Sequence, residues 1–145
     1  MVKTIYTIHC DGGSRGNPGA AAYGYTIAGT DGTKKEHGEY IGTTTNNVAE
    51  YKAVIAALKK LPALVGKTKA HGARVEVRVD SELLERQING KYKISHPEIQ
   101  KLFLELWNTK VEYDDISFTH VRREMNTAAD RMVNATLDKE AGKLV

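Results

Sequence analysis

The order in which the hydrophobic period changes along this chain constrains its fold more than any other feature. Thr4 to Asp11 alternates strictly, with Tyr6, Ile8 and Cys10 on one face and Ile5, Thr7, His9 and Asp11 on the other. That period of two is a strand's. A glycine-rich turn is expected over Gly12–Gly19, followed by a second strand over Ala20–Ala28. Asp31-Gly32 is a hairpin signal, because both residues tolerate positive φ, and Glu36 to Gly42 returns as a third strand. From Val48 to Leu61 the period lengthens: Val48, Tyr51, Val54, Ile55, Leu58 and Leu61 recur at steps of three and four, which makes one helical stripe with Pro62 at its end.

The second half alternates between the two periods. Gly66 to Gly72 reads as a polar loop, and Arg74 to Asp80, with Val75, Val77 and Val79 on one face, as a fourth strand. A short helix over Ser81–Ile88 closes at Asn89-Gly90. Ser95-His96-Pro97-Glu98 has capping-box spacing and opens a helix that ends near Asn108. Val111 to Val121 supplies a fifth strand, and Asn126 to about Lys139 a last helix. Glu140 to Val145 is too short to assign. Trp107 and the tyrosines read as packing residues. Three hairpin strands followed by alternating helices and strands predict one α/β domain over residues 1–145, built on a mixed five-stranded sheet flanked by helices.

Composition narrows the class. At 145 residues, 41% hydrophobic and 27% charged, the chain has the content of one folded domain and not of a disordered one. No apolar run approaches the roughly 20 residues that span a bilayer. The N-terminus runs straight into the first strand without a secretory pattern. A cytoplasmic protein with no membrane partner is therefore expected. One cysteine, Cys10, excludes an internal disulfide and a thiolate metal cluster. The net charge of +3 is mild and its positives are scattered, so nucleic-acid binding is permitted but not demanded.

Four carboxylates sit where elements begin or end. Asp11 ends strand one, Asp80 ends strand four, Glu50 lies in the first turn of the long helix, and Asp130 lies near the start of the last helix. In α/β folds, ligands collect outside the carboxyl ends of parallel strands, so these four can converge there. Carboxylates sharing a pocket repel, and hard oxygen ligands select Mg²⁺ or Mn²⁺. Two such ions about 3.5–4 Å apart can activate a water and stabilise a departing alkoxide in phosphoryl transfer. Each residue also has a plainer reading. Asp11 could cap a turn, Asn47-x-x-Glu50 could be a capping box, and Asp80-Ser81 could be a helix N-cap.

The residues around the carboxylates carry a resemblance. Asp11-Gly12-Gly13-Ser14-Arg15-Gly16-Asn17-Pro18-Gly19 resembles the opening motif of the type 1 ribonuclease H family. Thr44-Thr45-Asn46-Asn47-Val48-Ala49-Glu50 resembles its second motif and Val79-Asp80-Ser81 its third. His120-Val121-Arg122-Arg123-Glu124-Met125-Asn126-Thr127-Ala128-Ala129-Asp130 is similar to its fourth, in the archaeal-type form. The resemblance implies a ribonuclease H-like fold and a catalytic, metal-binding set of Asp11, Glu50, Asp80 and Asp130. It implies two Mg²⁺ ions, with Mn²⁺ as substitute, and endonucleolytic hydrolysis of the RNA strand of RNA–DNA hybrids to 5′-phosphate and 3′-hydroxyl ends. Asp11 would bridge both ions.

It also implies that Ser14, Asn17 and Asn46 lie beside the RNA minor groove and Thr45 and Asn47 near the backbones. Weak cleavage of double-stranded RNA stays open, and a monomer is expected. Two departures from the family pattern matter. Only Asn89 to Ser95 separates two helices where many members carry a basic DNA-gripping protrusion, which leaves Lys91, Lys93, Arg122 and Arg123 as candidate contacts; no N-terminal hybrid-binding domain is expected either. Where many members have a mobile histidine, the chain offers Arg122 and Arg123 as substrate-binding residues, with His120 finishing strand five.

Overall fold

The computed structural model describes residues 2–143. Five strands form one mixed sheet in the order β3-β2-β1-β4-β5. β1 (Ile5–Gly16), β2 (Gly19–Gly29) and β3 (Lys34–Thr44) are antiparallel neighbours, and β4 (Arg74–Val79) and β5 (Asp115–His120) run parallel to β1. This is the ribonuclease H-like arrangement that the resemblance implies. The expected turn over Gly12–Gly19 is mostly strand. Gly12 to Gly16 keep their ladder with Tyr23 to Gly19, so only Asn17 and Pro18 turn. Strand pairing with β2 overrides the weak strand preference of these glycines.

The stripe from Val48 to Leu61 is fully buried in α1 (Asn46–Val65). A cavity-forming change such as Leu58→Ala there costs about 2–5 kcal/mol. Thr45 caps this helix, its hydroxyl accepting from the Val48 N–H at 3.3 Å, so the Asn47-x-x-Glu50 box is not the cap and Glu50 falls just past the first turn. Pro62 does not end α1. Proline has no N–H for the carbonyl four residues earlier, that of Leu58, and the Tyr113 hydroxyl donates to this carbonyl instead.

The segment expected to be a polar loop is helical, α2 (Lys67–Gly72). Gly66, at φ 93°, breaks away from α1, and the buried methyl of Ala70 anchors the new turn. Ser81 caps α3 (Glu82–Ile88) through the Leu84 N–H. In α4 (Pro97–Lys110) the cap position is His96 and no side chain caps it, so the Ser95 box does not form. The expected fifth strand shortens at its start, because Val111 to Asp114 are spent turning out of α4. A 3-10 turn, Arg123–Met125, then leads to α5 (Thr127–Gly142). Glu140 to Gly142 complete α5 and Lys143 caps it, whereas Leu144 and Val145 lie outside the described residues.

Helices cover both sheet faces. Tyr6, Ile8, Cys10, Tyr23, Tyr25 and Ile27 pack with α1 in the main core, which α4 closes through Ile99 and Leu106. A smaller cluster on the other face joins Ala22 to Val133 and Leu137 of α5. Trp107 is not a core residue. It is 42% exposed, stacked on Phe103 and covered by the Lys110 ammonium at 4.6 Å. Among the described residues, no helix is long and apolar enough to cross a membrane.

Candidate active site

The parallel ladders end in register. Cys10 pairs with Val79, Val79 pairs with His120, and past that row β1 has only β2 beside it. Asp11 and Asp80 are the next residues on β1 and after β4, so the ladder itself brings them to one place. Asp11 is not at the end of its strand, as its sequence position suggests; it is where β1 outruns its parallel neighbour. Glu50 arrives on the start of α1 and Asp130 on the first turn of α5.

All four line one cleft of about 290 Å³ at that sheet edge. Gly13, Ser14, Arg15, Asn46, Arg123 and Asn134 share its walls. A larger hollow of about 580 Å³ lies between α1, α2 and α4, but there Lys59 is paired with Glu105 at 2.7 Å and His71 stands 3.7 Å from Glu112. It gathers no set of groups that chemistry could use.

The cleft strains its own charges. Burial, the negative charges of Asp80 and Asp130, a hydrogen bond with Asp130 and the charge of Glu50 push the Asp11 carboxyl up to about 8. Burial raises Glu50 to about 7; the nearby Asp80 charge adds to this, while a hydrogen bond with Ser81 and the Arg123 guanidinium oppose it. Asp11 is only 7% exposed. Burial and mutual repulsion leave this set of hard oxygen donors short of positive charge, and a divalent cation fits that need. The donors are not clamped in advance: among the described residues, no three His, Cys, Asp or Glu side chains already stand in position to hold an ion.

The residues expected at the RNA divide between the cleft and its margin. Asn46 Oδ1 accepts from the Ser14 N–H at 2.7 Å and from the Ser14 hydroxyl at 3.1 Å, and the Asn46 N–H donates to Asn17 Oδ1 at 3.1 Å. Ser14 and Asn46 line the cleft, whereas Asn17 is exposed and outside its walls. Thr45 spends its oxygen on the helix cap. Asn47 and Arg122 do not reach the cleft, and of the two candidate arginines only Arg123 does. Three residues at the site were not expected there. Arg15 is held by Asp138 at 2.5 Å, Asn134 Nδ2 donates to Asp130 Oδ2 at 3.3 Å, and Asn126 is buried beneath the cleft. The spacing of Asn126 and Asn134, four residues either side of Asp130, is the sequence signal that could have found them.

The family described as reverse transcriptase-like matches residues 9–136. A ribonuclease HI of Halobacterium salinarum is 40% identical over 129 residues, covering 88% of this chain and 62% of that protein. The crystal structure of RNase H1 from the same archaeon matches with a TM-score of 0.84 at 37% identity, over 93% of this chain and 98% of that one. The chain belongs to the type 1 ribonuclease H family. Another member of this family, LC11-RNase H1, was crystallised in complex with an RNA/DNA hybrid. It matches with a TM-score of 0.85 at 42% identity, over 96% of this chain and 99% of that one. A bifunctional protein of Mycobacterium tuberculosis is 39% identical over 136 residues, which is 92% of this chain. The chain spans 36% of the mycobacterial relative's length and 62% of the haloarchaeal one's.

Proposed function

We propose that this chain is a ribonuclease H, an endonuclease that hydrolyses the RNA strand of RNA–DNA hybrids and leaves 5′-phosphate and 3′-hydroxyl ends. The convergence of Asp11, Glu50, Asp80 and Asp130 at the open end of the β1–β4 ladder carries this reading. Family membership and the hybrid-bound relative support it. Residues 1–145 act as one catalytic domain. All four carboxylates come from one chain, so a monomer suffices.

The four carboxylates would hold two Mg²⁺ ions, for which Mn²⁺ would substitute. Divalent cations supply Lewis acidity there, making water nucleophilic near neutral pH and neutralising charge on the departing oxygen. The chain's own residues do the rest. With cations held there, the repulsion that adds to burial in raising the Asp11 carboxyl would be compensated, and Asp11 would serve as an ionised ligand. Arg123 places a guanidinium on the Glu50 side of the cleft, where it attracts the scissile phosphate. Asn46 Oδ1 is already occupied by Ser14, which turns its amide nitrogen toward substrate as a donor for the RNA sugar edge. Asn17 ties down the Asn46 main chain through its N–H. Thr45, Asn47, Arg122, Lys91 and Lys93 lie outside the cleft and serve the flanking backbones.

The test compares end-labelled RNA–DNA, RNA–RNA and DNA–DNA duplexes with Mg²⁺, Mn²⁺ or EDTA, beside the Asp80→Asn variant. Hybrid cleavage that needs metal and disappears in the variant is expected, with RNA–RNA cut far more slowly. A hybrid that is bound but stays intact under every metal would overturn the reading and leave a binding module.

A further inference from the structure

Asn126 holds the residue position that begins α5, and it does not do what an asparagine usually does there. An asparagine at a helix N-cap ordinarily accepts from an N–H of the first turn. Asn126 makes no side-chain cap bond. Its amide turns instead toward β1, and Nδ2 donates to the Cys10 carbonyl at 2.8 Å. That carbonyl belongs to the same peptide plane as the Asp11 nitrogen. The main-chain carbonyl of Asn126 meanwhile accepts from the Asp130 N–H at 3.1 Å. One residue therefore grips the backbone beside Asp11, through Cys10 116 positions away in the chain, and that of Asp130.

Stability does not account for the amide. The side chain is 1% exposed, and its Oδ1 is buried without a hydrogen-bond partner. A made hydrogen bond is worth about 0.5–1.5 kcal/mol net, whereas a buried orphan costs about 1–3 kcal/mol. The two together leave the fold no better off. What Asn126 does contribute is a fixed offset between β1 and the first turn of α5.

We propose that Asn126 is a positioning residue that sets the separation of Asp11 and Asp130, and thereby the affinity of the cleft for divalent cations and the rate of hybrid cleavage. The inference rests on the hydrolase reading above for its rate half only. Groups that orient a metal's ligands from behind typically change metal affinity or activity about 10- to 100-fold when removed.

The experiment uses Asn126→Ala and the isosteric Asn126→Asp, with Asn89→Ala as a matched control. Asn89 Nδ2 donates to the Phe118 carbonyl at 3.1 Å, an amide-to-strand bond of the same kind that touches none of the four carboxylates. Mn²⁺ binding to metal-free protein is measured by calorimetry, kcat and KM on the hybrid by initial rates, and Tm by circular dichroism. Both Asn126 variants are expected to lose Mn²⁺ affinity and kcat by about 10-fold or more, with KM moving less than about 2-fold. Asn89→Ala is expected to keep both. Unchanged Mn²⁺ affinity in a folded Asn126 variant overturns the proposal, and so does failure of both variants to fold, because a purely structural role then suffices. A wild-type chain that binds Mn²⁺ but leaves the hybrid intact overturns the hydrolase reading alone, and the calorimetric arm still decides Asn126.

Discussion

Gly12 and Glu50 meet backbone to backbone: a Cβ on Gly12 would overlap the Glu50 nitrogen and lie 2.6 Å from the Ala49 carbonyl oxygen. The contact is made by main chain, so no side-chain rotation relieves it. It seats the start of α1 directly against β1, one residue past Asp11, which is how a helix residue and a strand residue come to share a cleft. Gly12→Ala must push α1 away. Overpacking of this kind costs about 1–3 kcal/mol, and a displacement of about 1 Å at a reacting centre costs on the order of 100-fold in rate. The expected outcome is a folded protein with a lower Tm and kcat on the hybrid reduced by about that factor. An active Gly12→Ala variant would show that the seat of α1 does not govern the site.

The carboxylates make stability depend on pH in an unusual direction. The ordinary values of 3.8 for Asp11 and 4.5 for Glu50 apply in the unfolded chain, and folding raises them to about 8 and about 7. The native state thus holds protons that the unfolded state has released. This stabilisation is fully present below about pH 4 and is lost as pH rises through 7 and 8. In EDTA, Tm at about pH 5 is expected to exceed Tm at about pH 9 by at least about 3 °C, and Asp11→Asn to flatten most of the difference. Mg²⁺ should narrow the gap by raising the alkaline Tm, since the cation replaces the proton. A wild-type Tm that rises toward alkaline pH in EDTA would contradict the electrostatic description of the cleft.

Asn46 is expected to act on substrate choice more than on chemistry. Asn46→Ala removes the acceptor of the Ser14 N–H and hydroxyl and the donor aimed at the RNA sugar edge. Losing a hydrogen bond of this kind costs about 1–2 kcal/mol, which predicts a KM for hybrid raised about 10-fold with kcat changed less. Steady-state rates over a range of hybrid concentrations measure it. A fall in kcat with KM unchanged would place Asn46 in the chemical step instead.

Tyr113 and Pro62 form a pair that is separable from function. The Tyr113 hydroxyl satisfies the Leu58 carbonyl that Pro62 leaves without its helical donor. Tyr113→Phe should cost about 1–3 kcal/mol by orphaning that buried carbonyl, with hybrid cleavage unchanged. Pro62→Ala restores an N–H at the helical position, so the double variant should lose less stability than Tyr113→Phe alone. Urea unfolding of the four proteins checks it, and strict additivity would mean the two residues do not share this carbonyl.

Much of the architecture is a local property of the chain. The alternation over Thr4–Asp11 and Arg74–Asp80 and the stripe from Val48 to Leu61 each depend only on side-chain spacing, and the strands and α1 formed where that spacing placed them. The motifs around the four carboxylates were legible for the same reason, being contiguous. Elements set by partners were not. Gly12 to Arg15 look like a turn and are strand because β2 offers them a ladder. Lys67 to Gly72 look like a loop and are helix because Ala70 finds a place in the core. Ser95 looks like a cap, yet the helix begins after His96 with no side-chain bond at all.

The sequence by itself determined which carboxylates stand out: Asp11, Glu50, Asp80 and Asp130, each inside a contiguous motif. Only the tertiary structure decided how those residues behave. That the Asp11 carboxyl is pushed upward, that Arg123 and not Arg122 enters the cleft, and that Asn126 turns from its own helix to hold the Cys10 carbonyl are all set by atoms distant in the chain. Period and motif are properties of neighbouring residues, whereas desolvation, charge repulsion and the choice of a hydrogen-bond acceptor come into being only when elements far apart in sequence pack together.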